Sequence, residues 1–351
     1  MTQSFLNKRQ DIILHFLSLR KSARIREIKD EITEDFPSVS KITINRDLKK
    51  LIELNFVVLK GAGRAVTYRL SGSYSTIRPV DIEKYFEKEI DERDINESFN
   101  FDVFSNFQVV FTDKEKDYLN RLNKTYLDRV KNLPKDIVKK EFERLTVELS
   151  WKSSKIEGNT YSLLETEQLI KDHKETKNHT KEEAVMILGH KKALDSIRSH
   201  TSSFERLSLK KIEEIHSILT DGLGISKNVR NSLVGITGTR YKPLDNKFQI
   251  TEAFERTLKI ANKMTDPFEK AVYVMLMIAY IQPFVDGNKR TSRLTGNAVL
   301  LSGNTCPLSY RSINEIEYKK AVLLFYEQGN ISYFKKLFLD QFEFVVKNYF
   351  L

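Results

Sequence analysis

The sequence predicts a mainly α-helical protein, preceded by a small N-terminal unit of three helices and a hairpin. Three observations carry that expectation. Amphipathic runs with apolar residues at helical spacing recur across residues 111–351. Within them, residues 271–281 are almost uninterrupted apolar, Ala-Val-Tyr-Val-Met-Leu-Met-Ile-Ala-Tyr-Ile, and stop at a polar loop. Residues 1–70 instead show three short apolar stripes followed by two strand-like runs.

In the N-terminal unit, Ile12, Ile13, Phe16 and Leu17 give a first helix its apolar stripe, and Ile25, Ile28 and Ile32 mark a second. Ser40 is a good N-cap for a third, running to about Leu54. Its buried face would be Ile44, Leu48, Leu51 and Ile52; its outer face carries Lys41, Thr43, Asn45, Arg46, Lys49 and Lys50. Phe56-Val-Val-Leu-Lys60 and Ala65-Val-Thr-Tyr-Arg-Leu70 read as strands, with Gly61-Ala-Gly-Arg64 as the hairpin tip. This segment holds 14 Lys and Arg against 8 Asp and Glu, a net +6 of the chain's +10. Such a concentration of charge implies a polyanion partner, DNA above all.

Residues 71–79 are a linker by composition. An acidic helix is expected over 81–93, and residues 71–110 as a whole separate the head from the helical remainder of the chain. Helical runs then fall at 113–131, 134–150, 180–199, 208–219, 251–264, 268–281, 291–301, 315–327 and 333–349. The exception is Leu233-Val-Gly-Ile-Thr-Gly-Thr-Arg-Tyr-Lys-Pro243, which is β-rich, ends at a proline and reads as a hairpin or flap.

Composition narrows the class. Over 351 residues, 40% are hydrophobic and 30% charged, which describes a globular chain rather than a disordered one. A single cysteine, Cys306, rules out an internal disulfide and a multi-cysteine zinc site, and points to a buried thiol in a cytoplasmic protein. The first residues, Met-Thr-Gln-Ser-Phe-Leu-Asn-Lys-Arg, lack an extended apolar signal core. The run at 271–281 is too short for a bilayer, which needs roughly 20 residues.

The chemistry centres on Gln282-Pro-Phe-Val-Asp-Gly-Asn-Lys-Arg-Thr-Ser-Arg293. A helix resuming near Asn288 offers free N–H groups and its positive dipole end to an anion. Gly287 admits a close backbone approach. Arg290 and Arg293, three apart, share a helix face. Asp286 suits a metal that bridges phosphates.

This loop resembles the Fic family signature, His-Pro-Phe-x-Asp-Gly-Asn-Gly-Arg-x-x-Arg. Three further segments resemble that family over roughly residues 100–345. They are the flap Gly235-Ile-Thr-Gly-Thr-Arg-Tyr-Lys-Pro243, the helix Glu183-Ala-Val-Met-Ile-Leu-Gly-His-Lys-Lys-Ala193, and Ser153-Ser-Lys-Ile-Glu-Gly158, which matches its inhibitory motif. The run Thr43-Ile-Asn-Arg-Asp-Leu-Lys-Lys-Leu-Ile-Glu-Leu-Asn-Phe-Val57 resembles the recognition helix and wing of DeoR-type bacterial regulators, hence a winged helix-turn-helix. The resemblance implies a Fic-type helical domain with a β-hairpin flap over 111–351, behind a winged helix-turn-helix at 1–70. It implies AMP transfer from ATP to a Tyr, Thr or Ser hydroxyl of a target protein. Asp286 would hold Mg2+, while Gly287, Asn288, Lys289, Arg290 and Arg293 would hold the nucleotide. Glu157, with Ser153 and Gly158, would be the inhibitory segment facing Arg293. Ile236, Thr237, Gly238 and Thr239 would lay out the target strand. Lys41, Thr43, Asn45, Arg46, Lys49 and Arg64 would meet DNA.

Two positions depart from the signature. Gln282 stands where the family has its base histidine, and a carboxamide has no titrating nitrogen near neutral pH. Lys289 stands where many members have glycine; at Asn-Lys-Arg the chain instead resembles Doc, a relative that transfers phosphoryl groups rather than AMP. None of the six histidines (His15, His173, His179, His190, His200, His216) lies beyond position 216. The expectation is an ATP–Mg2+ binder with impaired transfer. Other readings stay open on the sequence: an active enzyme moving AMP or phosphoryl groups or removing AMP through Glu157, an introduced inactivating change at Gln282, or a DNA-binding regulator whose Fic domain serves a homodimer.

Overall fold

A computed structural model describes residues 6–107 and 109–351; the side chains of Arg64 and Asn106 lie outside the described set. The N-terminal unit has helices α1 (Lys8–Ser18), α2 (Ile25–Asp35) and α3 (Lys41–Glu53), then antiparallel strands β1 (Val57–Lys60) and β2 (Thr67–Leu70). Val57 faces Leu70 and Lys60 faces Thr67, so the tip is 61–66, and an isolated bridge adds Ala23 to Tyr68. Ser40 caps α3 as expected, its hydroxyl accepting from Thr43 N at 3.1 Å. Ile44, Leu48 and Leu51 are buried, and buried Asp47 ties α3 to α1 by accepting from Asn7, Arg9 and Gln10. A carboxylate with three donors fixes the helix roll, and that roll leaves Lys41, Asn45, Arg46 and Lys49 exposed on one side, with Thr43 half-buried.

Residues 71–79, a linker by composition, are partly helical. α4 (Tyr74–Ile77) docks on the far end of the chain: Ile331 N donates to Thr76 O, and Asn330 Nδ2 to the carbonyls of Ser75 and Arg78. The acidic helix is only α5 (Ile82–Phe86) with a 3-10 turn at Ile90–Glu92. Beyond that turn, Arg93 makes a buried pair with Glu327 at 3.4 Å. α6 (Val103–Asn106) completes this insert.

The remaining helices are α7 (Asp113–Asn132), α8 (Lys135–Ile156), α9 (Leu163–Asp172), α10 (Lys181–Ser199), α11 (Leu209–Leu219), α12 (Lys247–Ala261), α13 (Pro267–Ile281), α14 (Asn288–Ser302), α15 (Glu315–Gln328) and α16 (Ser332–Asn348). α13 is the core axis, buried on every side from Lys270 to Ile281. α14 packs along it closely enough that a Cβ on Gly296 would sit 1.9 Å from Met275 Cε. α8, α10, α11 and α15 surround this pair. The expected end of α8 at 150 and the absence of α9 are both corrected: α8 runs on to Ile156, and a Ser162–Glu165 capping box starts α9.

The flap at 233–243 turns at Thr237-Gly238, but among the described residues its two arms form no ladder. Its outgoing arm pairs elsewhere: Lys242 N donates to Glu97 O at 2.8 Å, beside a parallel bridge from Ser98 to Lys242. Arg93 donates to Gly238 O, and Pro243 ends the arm. The insert thus supplies the strand partner that the hairpin reading assigned to the flap itself. No described helix is long and apolar enough to cross a membrane.

Candidate active site at the loop between α13 and α14

The turn at 282–287 follows from its sequence. Pro283 disfavours helical backbone at the residue before it, so α13 ends at Ile281 and Gln282 takes a left-handed conformation, φ 51° and ψ 59°. The carbonyls left open at the helix end each find a donor. Gln282 N donates to Ile278 O at 3.1 Å, Gln282 Nε2 to Ala279 O at 2.6 Å, and Tyr241 OH to Tyr280 O at 2.9 Å. Arg230 donates to Gln282 O at 2.6 Å and reaches Ile281 O. The Gln282 carboxamide is therefore buried and turned inward, with Tyr326 OH 3.3 Å away.

Asn288 closes the loop on itself. Its Oδ1 accepts from Phe284 N at 2.8 Å and its Nδ2 donates to Phe284 O at 2.7 Å. That engagement leaves the backbone N–H, rather than the side chain, as its offering to a ligand. Gly287 precedes α14 at φ 79° with no side-chain cap. A Cβ there would lie 3.2 Å from Thr220 Cγ2 and 3.4 Å from His216 Nε2. His216 stacks on Phe284 with ring centroids 3.8 Å apart, and its Nε2 donates to Asp286 O at 2.9 Å. Burial lowers its pKa, which keeps the ring neutral.

Two cations of α14, Lys289 and Arg293, point at the end of α8. Arg293, fully buried, donates from Nε to Ser153 Oγ at 2.8 Å and from NH2 to Glu157 Oε1 at 2.9 Å. Lys289 Nζ reaches the other carboxylate oxygen, Oε2, at 3.4 Å. Burial pushes the Glu157 carboxyl up, but Arg293, Lys289 and Arg290 outweigh it and hold the pKa at about 2. Ser153 Oγ, accepting from Arg293, donates to His190 Nε2 at 2.7 Å, while His190 Nδ1 donates to Met186 O. Burial holds His190 down at about 3, consistent with that neutral tautomer. Gly158, at φ 101°, turns the chain away immediately after Glu157.

The fold therefore gathers Ser153, Glu157, Gly158, Gln282, Asp286, Gly287, Asn288, Lys289, Arg290 and Arg293. Ile236, Thr237, Gly238 and Thr239 lie on the flap, where Gly238 approaches Leu323 of α15. Lys41, Thr43, Asn45, Arg46, Lys49 and the Arg64 position belong to the separate N-terminal unit. Three residues of the site escaped sequence reasoning: Arg230, His216 and Tyr326 reach the loop from 52, 70 and 44 residues away. No local motif marks them.

The donor set fits a nucleotide with a divalent cation. Arg290 NH1 is buried without a hydrogen-bond partner beside the uncapped start of α14, while its NH2 pairs with Asp286 Oδ2 at 2.9 Å. The Asp286 side chain is 64% exposed. The described residues hold no cluster of three metal-ligating side chains, so a cation here would share its ligands with phosphate oxygens.

Residues 206–300 match the Fic/DOC family. Protein adenylyltransferase Fic of Drosophila persimilis is 26% identical over 156 residues, 44% of this chain and 31% of its own length. That of Drosophila melanogaster is 27% identical over 156 residues, 44% and 32% of the two chains. The match spans about a third of these relatives. Among solved structures, Fic-1 (aa134–508) from C. elegans aligns with a TM-score of 0.55 at 18% identity, covering 67% of this chain and 71% of its own. A Fic family protein from Desulfovibrio desulfuricans G20 aligns at 0.56 and 17%, covering 68% and 74%. Residues 206–300 thus resemble the Fic/DOC family, and the fold is Fic-type.

Proposed function

We propose that this chain is a Fic-type nucleotide-binding protein, held closed by Glu157 and weak in AMP transfer, with a DNA-binding head. The observation that carries the reading is the state of residue 282. Its carboxamide caps α13 through Ala279 O and lies against Tyr326. It can neither take up a proton from a target hydroxyl nor face one without giving up that cap. When bound, ATP with Mg2+ would supply the electrophilic α-phosphorus. The chain's own part is to seat the phosphates on the first turn of α14 and Arg290, and to hold the cation through Asp286. Glu157 opposes this by occupying Lys289 and Arg293. The same ionised carboxylate is the residue on which removal of AMP from a modified target would depend.

The test is incubation with α-labelled ATP of the parent chain, Glu157→Gly and Glu157→Gly/Gln282→His. Transfer confined to the histidine-bearing protein supports the reading, with a gain of roughly 10²–10⁴-fold, the usual worth of a general base. Strong labelling by the parent sinks it. For the head, the exposed Lys41, Asn45, Arg46 and Lys49 on one side of α3 support duplex DNA as the partner.

A further inference from the structure

Arg230 is among the largest fully buried side chains of the protein, yet none of its hydrogen bonds goes to a carboxylate. All go to backbone carbonyls, and they come from three separate segments. Nε donates to Gln282 O at 2.6 Å, NH1 to Ser232 O at 2.5 Å, and NH2 to Leu244 O and, at 3.5 Å, Ile281 O. Its own backbone N–H donates to Pro283 O at 2.9 Å. Ile281 and Gln282 close α13 and open the loop; Ser232 and Leu244 bracket the flap on either side. The negative end of the α13 dipole supplies the countercharge that a carboxylate would otherwise give. A guanidinium suits this task because its planar fork presents donors in fixed directions, whereas an ammonium is a single point. Tyr241 ties the same two segments again, from flap to Tyr280 O at 2.9 Å.

We infer that Arg230 is a positioning residue that fixes the flap to the anion-binding loop, so that a ligand seated on the loop is felt at residues 233–242. The inference rests on the nucleotide reading of the loop above. One guanidinium sets both the left-handed Gln282 and the two feet of the flap. The two surfaces that a transfer reaction must bring together then hold one relative placement. Losing the fork would loosen both segments at the carbonyls it holds and free the placement between them.

The experiment is hydrogen exchange followed by mass spectrometry on the full chain. Glu157→Gly, which frees Arg293 and Lys289, is compared with Glu157→Gly/Arg230→Lys and Glu157→Gly/Arg230→Met, each with and without ATP and Mg2+. In Glu157→Gly, ATP is expected to slow exchange at both 284–290 and 233–242. In the Arg230→Lys protein it should still slow 284–290 while the slowing at 233–242 is lost. Equal protection of the flap with and without Arg230 overturns the inference. Arg230→Met removes several donors at a buried site; should it fail to fold, Arg230→Lys, which keeps the charge and loses the fork, decides alone. If ATP protects neither segment in Glu157→Gly, the nucleotide reading fails, and the ligand-free comparison still decides Arg230. Faster exchange in both segments of Arg230→Lys than of Glu157→Gly upholds the pin, and unchanged exchange overturns it.

Discussion

Replacing Glu157 with glutamine should make the protein less stable and a better nucleotide binder at once. The side chain keeps its volume and loses its charge. In the folded chain the carboxyl sits at about 2 instead of its ordinary 4.5, after burial has been outweighed by Arg293, Lys289 and Arg290. At about 1.36 kcal/mol per pH unit this is roughly 3 kcal/mol of preference for the ionised form. With the side chain only 18% exposed, little of that is lost to solvent screening. If phosphates must displace this carboxylate from Arg293 and Lys289, Glu157→Gln should tighten ATP–Mg2+ binding by up to about 100-fold, since about 1.4 kcal/mol is tenfold. Arg293, fully buried, then lacks a countercharge in the ligand-free protein, so its melting temperature should fall. Titration calorimetry with ATP and Mg2+, beside thermal melts, reads both. A melting temperature that falls while ATP affinity stays within about twofold of the parent's would refute the reasoning, because the carboxylate would then be structural and not in the ligand's way.

Acid should undo the same latch. The folded pKa of Glu157 is depressed, so its contribution is complete above the ordinary 4.5 and is lost as pH falls toward about 2; urea unfolding at about pH 6 and pH 3 should show a steeper loss for the parent than for Glu157→Gln. Gly287→Ala puts a side chain at φ 79° and a Cβ 3.2 Å from Thr220; the left-handed backbone alone costs about 1–2 kcal/mol, and denaturant melts should register at least that. In the head, Arg46→Ala and Lys49→Ala should each lower the slope of log affinity against log salt for duplex DNA by about 0.9, and slopes unchanged in both would remove those residues from the interface.

The sequence made the centre of the fold legible because its signal is continuous. Residues 271–281 have no polar face to present, so they could only be a core helix, and α13 is that helix. Ser40 and the apolar stripe of α3 were readable for the opposite reason, a clean division between two faces. The middle was harder. Residues 81–93 have the composition of a solvated helix, but Arg93 pairs with Glu327 across the fold, and no local pattern encodes that pairing. The flap has strand-like residues, and what decides its pairing is Glu97, far away in the chain. In the candidate site, the residues of the loop from Gln282 to Arg293 form one motif and are visible together. The groups that hold the motif in place, Arg230, His216 and Tyr326, act on backbone atoms or on a single amide, which imposes no spacing that a sequence can display.

The joint at 71–79 has a consequence for what the head can do. Nine residues of this composition, left free, would let the head wander through roughly 15–18 Å. Docking of α4 against Asn330 and Ile331 removes that search volume. On the function proposed above, a duplex held by the head would then not simply raise the concentration of nearby proteins around the loop between α13 and α14. It would present that loop at one bearing, and a protein sharing that stretch of DNA would be reached or missed according to which side of the double helix it occupies.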